Sequence, residues 1–282
     1  MAITEAKYRK VAIEMLYARA VLFLVFVYCT SACAPAKPPA KPAAAEPAFT
    51  AAGSAVKAFD TCSTACGNPF ITQAQFDDFA KEGYKLYVTD DVMWDSEMSG
   101  DWACAAHCPA NHALPGSGAV LDPQAVAQIK EALKAGLKFA IYNRNVLAWH
   151  TGITGLGSAL DAQMAFYVLD IEAQPGVAPT RAIVSGVRQT GITPVLYTWA
   201  SAYHAIAGNS TEFDNLPLWM SPLINWNANA ATPPDYPSLT YAAPFNGWTN
   251  ASVVGEQQTW NYVNGYLVNQ DAFSKSWLAS TP

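Results

Sequence analysis

The sequence predicts an α/β fold, a single TIM-like (β/α) barrel in which helices cover a sheet of parallel strands. Strand-like and helix-like segments alternate from about residue 53 onward, and the strand-like segments are near-continuous apolar runs. About 230 residues remain from there to the end, a usual length for one barrel. Acidic and aromatic residues cluster where the predicted strands end, which in barrels is the catalytic rim.

A doubly wound open sheet would show the same alternation of strands and helices. That fold usually carries a Gly-x-Gly-x-x-Gly turn after its first strand or a phosphate-binding loop, and the sequence contains neither. The barrel is therefore favoured. Residues 225–254 show little periodicity, so we expect the last third of the barrel to be flattened or irregular.

Each predicted element has a local signal. Phe76 and Phe79 lie at helical spacing before Gly83, and Asp122 precedes Pro123 as an N-cap before a first-turn proline. Gly191 ends another helical segment. The predicted elements are, in chain order, a strand at 56–60, a helix at 71–82, a strand at 84–89, a helix at 123–135, strands at 137–142 and 166–171, a helix at 180–190, and strands at 194–199, 216–220 and 257–262.

The N-terminal residues predict export. Four basic residues precede the apolar run 20–28, and small residues follow it up to Ala32, as in a signal peptide. Cys33 comes next, so residues 1–32 resemble a bacterial lipoprotein signal in which Cys33 would be lipidated. Ordinary cleavage after Ala32 and an uncleaved membrane anchor are the alternatives. Residues 33–52 form a Pro/Ala-rich linker, and residues 53–282 form the barrel.

The charge of the chain excludes nucleic acid as a partner. The net charge is −6, and removing residues 1–32, which hold four basic and two acidic side chains, leaves −8. Nucleic-acid affinity depends on neutralising phosphates, which a chain this acidic does poorly. We expect a secreted or membrane-tethered monomer without a cofactor.

Four cysteines fall within the predicted barrel domain: Cys62, Cys66, Cys104 and Cys108. Exported chains form disulfides by default, and zinc sites more often use two-residue spacings within a cysteine pair. We therefore expect two disulfides and no metal site, although zinc remains the alternative. Four cysteines allow three pairings, and the sequence does not choose among them.

The strongest chemical signal is the segment that ends the predicted strand 166–171. Side chains alternate along a strand, so Asp170 and Glu172 face the same side, roughly 6.5–7 Å apart at the backbone. Two carboxylates in one pocket repel, so one tends to keep its proton near neutral pH. A protonated acid beside an ionised partner is what cleavage of a glycosidic bond requires. The alternative is that both acids cap helices or hold loops.

Several short motifs add a family resemblance. The chain resembles the family-25 glycoside hydrolases, the muramidase-type lysozymes, and also a related barrel family of glycoside-hydrolase-like secreted proteins with undefined activity. The motifs that carry the resemblance are Asp170-Ile171-Glu172, an Asp60 that ends the first strand within Phe59-Asp60-Thr61-Cys62, Leu216-Pro217-Leu218-Trp219-Met220, Gln258-Thr259-Trp260-Asn261, and Val268-Asn269-Gln270-Asp271-Ala272-Phe273.

The resemblance implies a role for each matching residue. Glu172 would be the general acid, and Asp170 would orient the 2-acetamido group of the substrate, which itself attacks the anomeric carbon. The implied substrate is peptidoglycan or another polysaccharide. The residues expected to bind it are Asp60, Asp90, Tyr197 and Asp271, with Trp199, Trp219 and Trp260 either stacking on sugars or packing in the core.

The sequence departs from the family pattern around the expected sugar subsites. A cysteine-bounded loop follows Thr61, and the Trp-Gln-Tyr of the last family strand is matched only loosely by Gln258-Thr259-Trp260. A carbohydrate-binding barrel without turnover and a different glycosidase on the same scaffold are therefore the alternatives. A Ser-His-Asp hydrolase is not expected, because the chain has no Gly-x-Ser-x-Gly elbow.

The oxidation state of the four domain cysteines gives a first test. We expect the unreduced, denatured protein to show no titratable thiol from them and the native protein to bind no zinc, because disulfides consume all four. Thiol titration and metal analysis of the exported protein measure this. Four free thiols together with stoichiometric zinc would contradict it.

Overall fold

The computed structural model describes residues 55–61, 69–93, 120–143, 146–171, 178–221, 232, 236–239 and 244–282. Cys33, the four domain cysteines and Glu172 lie outside these residues, so their predicted roles stay predictions. Among the described residues, no helix has the length and apolar character needed to cross a membrane.

Eight strands close into a barrel, as the sequence predicts. Around the barrel they are ordered β1-β10-β9-β8-β7-β6-β5-β2, and the short strands β3 and β4 pair separately. The strands are β1 (Ala55–Thr61), β2 (Tyr84–Asp90), β3 (Val92–Met93), β4 (Val120–Leu121), β5 (Lys138–Asn143), β6 (Met164–Asp170), β7 (Pro194–Thr198), β8 (Leu218–Met220), β9 (Val253–Val263) and β10 (Tyr266–Ser274).

Helices connect most of the parallel strands and begin where the sequence indicates. The Asp122 carboxylate accepts a hydrogen bond from the Gln124 backbone N–H at 2.8 Å, and the Thr180 hydroxyl accepts one from Ile183. The described helices are α1 (Gln73–Lys81), α2 (Pro123–Lys134), α3 (Trp149–Thr154), α4 (Ser158–Asp161), α5 (Arg181–Gln189), α6 (Ala200–Ala207) and α7 (Lys275–Ala279), with 3-10 turns at Val146–Ala148 and Asn250–Ser252.

The apolar side chains form two layers because strand residues alternate between the two faces of the sheet. The outer layer packs against the helices, and in it the ring of Phe59 stacks on that of Phe79 from α1, with centroids 4.0 Å apart. The inner layer fills the barrel with alternate residues such as Leu86 and Val88. Within β6, Phe166, Val168 and Asp170 share this inward face, which places Asp170 at the carboxyl end of the barrel interior.

The closing hairpin differs from the sequence prediction. The segment 257–262 is not the last strand, because β9 turns back at Asn264 and Gly265 into β10, which runs antiparallel to both β9 and β1. Both turn residues have positive φ (52° and 82°), the conformation that an Asn-Gly hairpin turn requires. Seven of the eight barrel strands therefore run in one direction, and β10 runs in the opposite direction.

The short helix α7 closes the amino-terminal end of the barrel with aromatic packing. Trp277 lies 5.0 Å from Phe166 and 6.3 Å from Phe273 between ring centroids. Phe273 in turn contacts Trp219 at 5.4 Å, and Trp219 contacts Tyr197 at 4.5 Å. We call these four rings (Trp277, Phe273, Trp219 and Tyr197) the aromatic column. It runs inside the barrel from the α7 end to the carboxyl rim.

A substitution at Gly255 tests this packing. A Cβ at position 255 would lie 2.5 Å from the ring of Phe273, which is fully buried. We expect Gly255→Ala to lower the free energy of unfolding by about 1–3 kcal/mol, because the column must shift to accept the methyl group. Urea denaturation measures the loss.

The matched control repeats the substitution in a protein whose residue 273 is smaller than phenylalanine. In a Phe273→Leu background, adding Gly255→Ala should cost clearly less than it does alone, because leucine leaves room for the methyl group. Equal costs in the two backgrounds would contradict the assigned contact.

Candidate active site

Asp60 lies at the carboxyl end of β1 and is held by two side-chain amides. The Asn269 side chain donates to Asp60 Oδ1 at 2.9 Å, and the Gln257 side chain donates to Oδ2 at 3.1 Å. The carboxyl group is buried. Asn269 is the direct cross-strand partner of Asp60, so the pairing of β10 with β1 creates this contact.

The network continues from Asp60 toward β7 and β8. Gln257 Oε1 accepts hydrogen bonds from the Tyr197 hydroxyl at 2.8 Å and from the Ser221 hydroxyl at 3.1 Å. Tyr197 is the cross-strand partner of Asp170, the predicted partner of the general acid. One chain of hydrogen bonds therefore joins Asp60 to the strand beside Asp170. Asp170 itself is buried, with 3% of its surface exposed.

Asp271 lies deeper in the barrel than the sequence suggests. It pairs with Ala58, one inward-facing position below Asp60, and it is fully buried. Burial and the charge of Asp60 hold the pKa of Asp271 well above its usual range. The residue that contacts Asp60 at the rim from β10 is Asn269, while Asp271 lies beneath the pair.

A second polar cluster follows β2 and β5. The Asn143 side-chain amide donates to Asp90 Oδ1 at 3.0 Å and to Asp91 Oδ1 at 3.3 Å, and its Oδ1 accepts from the Tyr167 hydroxyl at 2.6 Å. Asp90 Oδ1 also accepts from the Val92 N–H, so one oxygen of Asp90 holds the local turn. Burial and the neighbouring Asp90 hold the pKa of Asp91 well above its usual range. This cluster orders the start of the loop after β2.

The four aromatic residues near the rim have different surroundings. Trp219 is buried and makes tilted ring contacts with Tyr197 and Phe273, so its ring packs within the aromatic column. Trp199 is half-buried and packs partly against the barrel interior. Trp260 is half-buried and pairs with Asn269 on the face of the hairpin that leads into the barrel. Tyr262, two residues on and so on the same face, is 57% exposed.

Gln257, Asn269 and Ser221 contact the site but were not predicted from the sequence. An amide or a hydroxyl group carries no catalytic motif of its own, so only the three-dimensional contact reveals it. One signal was present: Asn269 and Asp271 are two residues apart in a strand, which places both side chains on one face. Among the described residues, no group of three or more His, Cys, Asp or Glu side chains is arranged to hold a metal ion.

Comparisons with known proteins give matches only among solved structures. No protein-family model and no curated protein matches the sequence. A structure of a muramidase from Acremonium alcalophilum is similar with a TM-score of 0.45 and 17% identity, covering 79% of this chain and 96% of that one. The crystal structure of the CTP1L endolysin is similar with a TM-score of 0.47 and 16% identity, covering 79% of this chain and 68% of that one.

The amide of Gln257 gives a test of the rim network. We expect Gln257→Glu to lower the free energy of unfolding at pH 7 by about 1–3 kcal/mol, because a second carboxylate replaces the N–H that Asp60 accepts. Charge repulsion and burial raise the folded-state pKa of the new carboxyl group. The loss should therefore shrink as the pH falls toward 4, where the protonated acid can again donate.

Urea denaturation between pH 4 and 7 measures this effect. Gln163→Glu is the control, since Gln163 is exposed and donates only to the Ala159 carbonyl. A loss for Gln257→Glu that stays constant across the pH range, as in the control, would contradict the assigned contact with Asp60.

Proposed function

We propose that this protein is a glycoside hydrolase of the lysozyme (muramidase) type that cleaves an N-acetylated cell-wall or surface glycan. Glu172 is the general acid, and Asp170 is its partner. The observation that carries the proposal is the position of Asp170: buried at the inward-facing carboxyl end of β6, beside Tyr197 and the network that leads to Asp60. In barrels, acids at this rim serve catalysis.

The reaction follows from the spacing of the two acids. Glu172 follows Asp170 by two residues, so one of the two carboxyl groups tends to keep a proton near neutral pH. The carboxylic acid of Glu172 gives its proton to the glycosidic oxygen as the bond to the anomeric carbon breaks. The carbonyl oxygen of the 2-acetamido group attacks that carbon from the opposite face, and Asp170 accepts the acetamido N–H. Water then opens the cyclic intermediate and returns a proton to Glu172.

The remaining predicted residues bind the sugar in this proposal. Tyr197 is the cross-strand neighbour of Asp170, and Asp60 and Asp90 lie at the carboxyl ends of β1 and β2 on the same rim. Trp260 is the aromatic residue best placed to stack on a sugar, because it is half-buried beside Asn269. Trp199 contributes at the edge, whereas Trp219 packs in the core, because its ring lies within the aromatic column.

One observation favours the second candidate, a carbohydrate-binding barrel without turnover. Both oxygens of Asp60 accept hydrogen bonds from amides of the protein, and Gln257 is satisfied on both sides. Polar groups that already hydrogen-bond one another keep the site rigid, which suits binding of a carbohydrate without turnover. Measured turnover distinguishes the two candidates.

The sequence of the N-terminal residues supports an activity outside the cytoplasm. The proposed export signal and the linker 33–52 would tether the barrel to a membrane through Cys33, within reach of a cell-wall polymer. The protein would act as a monomer and would need no cofactor.

Substitution of the two acids tests the proposal. We expect Glu172→Gln to reduce turnover roughly 10²–10⁴-fold with the fold unchanged, a loss of about 3–5 kcal/mol in transition-state stabilisation. Asp170→Asn should also cripple turnover, and the two losses should be less than additive, because both residues serve one step. Release of new reducing ends from purified peptidoglycan measures turnover.

Glu82→Gln is the matched control, because Glu82 is exposed before β2, at the opposite end of the barrel from the rim. It should leave turnover unchanged. If both acid variants retain near-normal activity on a glycan that the natural protein cleaves, the pair is structural. If the natural protein binds glycans but releases no reducing ends, the carbohydrate-binding candidate replaces the hydrolase.

A further inference from the structure

We propose that Asp271 carries a proton that it shares with Asp60, so that the two form a buried carboxyl pair with a single negative charge. Asp271 is then a positioning residue that acts through Asp60. The pair is a property of the barrel interior, and its effect on turnover rests on the proposed function.

The two acids are diagonal neighbours on one face of paired strands. Asp60 pairs with Asn269 and Ala58 pairs with Asp271, so Asp60 and Asp271 both point into the barrel from adjacent antiparallel strands. Diagonal neighbours on one face have Cβ atoms about 7–8 Å apart or somewhat less. Two aspartate side chains that lean toward each other can bridge this distance through one shared hydrogen.

A proton on Asp271 would give both this carboxyl group and the neighbouring Trp219 indole hydrogen-bond partners. Neither of its oxygens accepts a hydrogen bond of ordinary geometry from the described residues, and the Trp219 indole N–H has no described acceptor. Asp60 and Trp219 are also the side chains whose hydrogen bonding influences the pKa of Asp271: that of Asp60 raises it and that of Trp219 lowers it. A protonated Asp271 donates its O–H to Asp60 and accepts the Trp219 N–H at its other oxygen. This arrangement satisfies both groups after small rotations.

An ionised Asp271 would be costly in the same place. It is fully buried, and among the described residues the indole N–H alone would compensate a second negative charge facing Asp60. Asp60 is the better place for the charge, because the Asn269 and Gln257 amides already donate to its two oxygens. The pair therefore presents one fixed carboxylate at the rim, anchored below by Asp271 and above by the amides.

Among the described residues, two tyrosines on the outer side of the sheet also interact electrostatically with Asp271. Tyr236 donates a hydrogen bond to the Asp271 backbone carbonyl at 3.2 Å, and Tyr84 lies close enough for its charge to interact with Asp271. Burial raises the pKa of both hydroxyl groups. Both tyrosines are therefore uncharged between pH 4 and 8, and a pH effect of Asp271→Asn in this range reports the acid pair.

The first experiment compares the natural protein with Asp271→Asn by urea denaturation from pH 4 to 8. The amide keeps the size of the acid and a donor for Asp60. Because the pKa of Asp271 is raised on folding, the natural folded state binds one more proton than the unfolded state, so its stability falls as the pH rises above about 4. The ratio of unfolding constants, natural protein over variant, should rise by up to tenfold per pH unit and then level off.

Other buried acids, such as Asp91, are present in both proteins and cancel in this ratio. A ratio that stays flat from pH 4 to 8 would overturn the proposal, because Asp271 would then be ionised in the folded protein. If the variant does not fold, the ¹³C carboxyl resonances of labelled aspartate in the natural protein give the same answer. A carboxyl resonance whose chemical shift shows no titration between pH 4 and 6, and whose shift changes in the Asp60→Asn variant, supports the pair.

The second experiment separates a shared proton from burial alone. The same ratio of unfolding constants is measured in an Asp60→Asn background, with the Asp60→Asn protein over the double variant Asp60→Asn/Asp271→Asn. It should level off at a lower pH than before, because Asp271 no longer faces a negative charge. If the ratio levels off at the same pH in both backgrounds, burial alone keeps Asp271 protonated. That result would overturn the proposal that Asp271 shares its proton with Asp60. Neither experiment uses a glycan, so a protein that hydrolyses none would refute the proposed function and leave this test intact.

Discussion

The insertion of β10 between β9 and β1 is the constraint on which the rim site depends. It closes the barrel, and its register with β1 puts Asn269 opposite Asp60 and Asp271 one inward position below. A slip of one residue would turn both side chains outward and bring Gln270 inward, because strand side chains alternate. Gln270 now bonds Tyr84 on the outer side, which adds a cost to such a slip. The Asn-Gly turn fixes the same register from the other end.

The aromatic column gives the rim its rigidity. It runs from Trp277 in α7 to Tyr197, and the Tyr197 hydroxyl then holds Gln257, which holds Asp60. Packed rings of this size leave few alternative rotamers, so the hydroxyl has a defined position without support from solvent-exposed loops. Catalytic groups need such support from packed neighbours to keep their geometry. The rim therefore depends on residues at the far end of the barrel.

The sequence predicts the parallel part of this fold well because its signals are local. Apolar runs mark β2, β5, β6 and β7, and Asp122 caps its helix as expected. The strand predicted at 257–262 lies within β9, but β10 was missed because the polar run Asn269-Gln270-Asp271 interrupts its apolar residues. The Asn264-Gly265 turn signal was present, but no apolar alternation flanks it.

The site also combines features with a local sequence signal and features that depend on distant strands. Acids at strand ends are visible in the sequence, so Asp60 and Asp170 were predicted at the rim where they lie. The amides of Gln257 and Asn269 depend on pairing between distant strands, which no local pattern encodes. The same holds for Trp219: an aromatic residue near a strand end either faces the sugar or joins the core, and only the packing decides.

The stereochemistry of the first product tests the proposed chemistry most directly. Attack by the 2-acetamido group followed by water inverts the anomeric carbon twice, so the new reducing end should form with retained configuration. Proton NMR of an N-acetylated peptidoglycan fragment, recorded in the first minutes after the protein is added and before mutarotation, gives the configuration. Retention is the predicted result. Inversion, or the absence of any cleavage by folded protein, would contradict the roles assigned to Asp170 and Glu172.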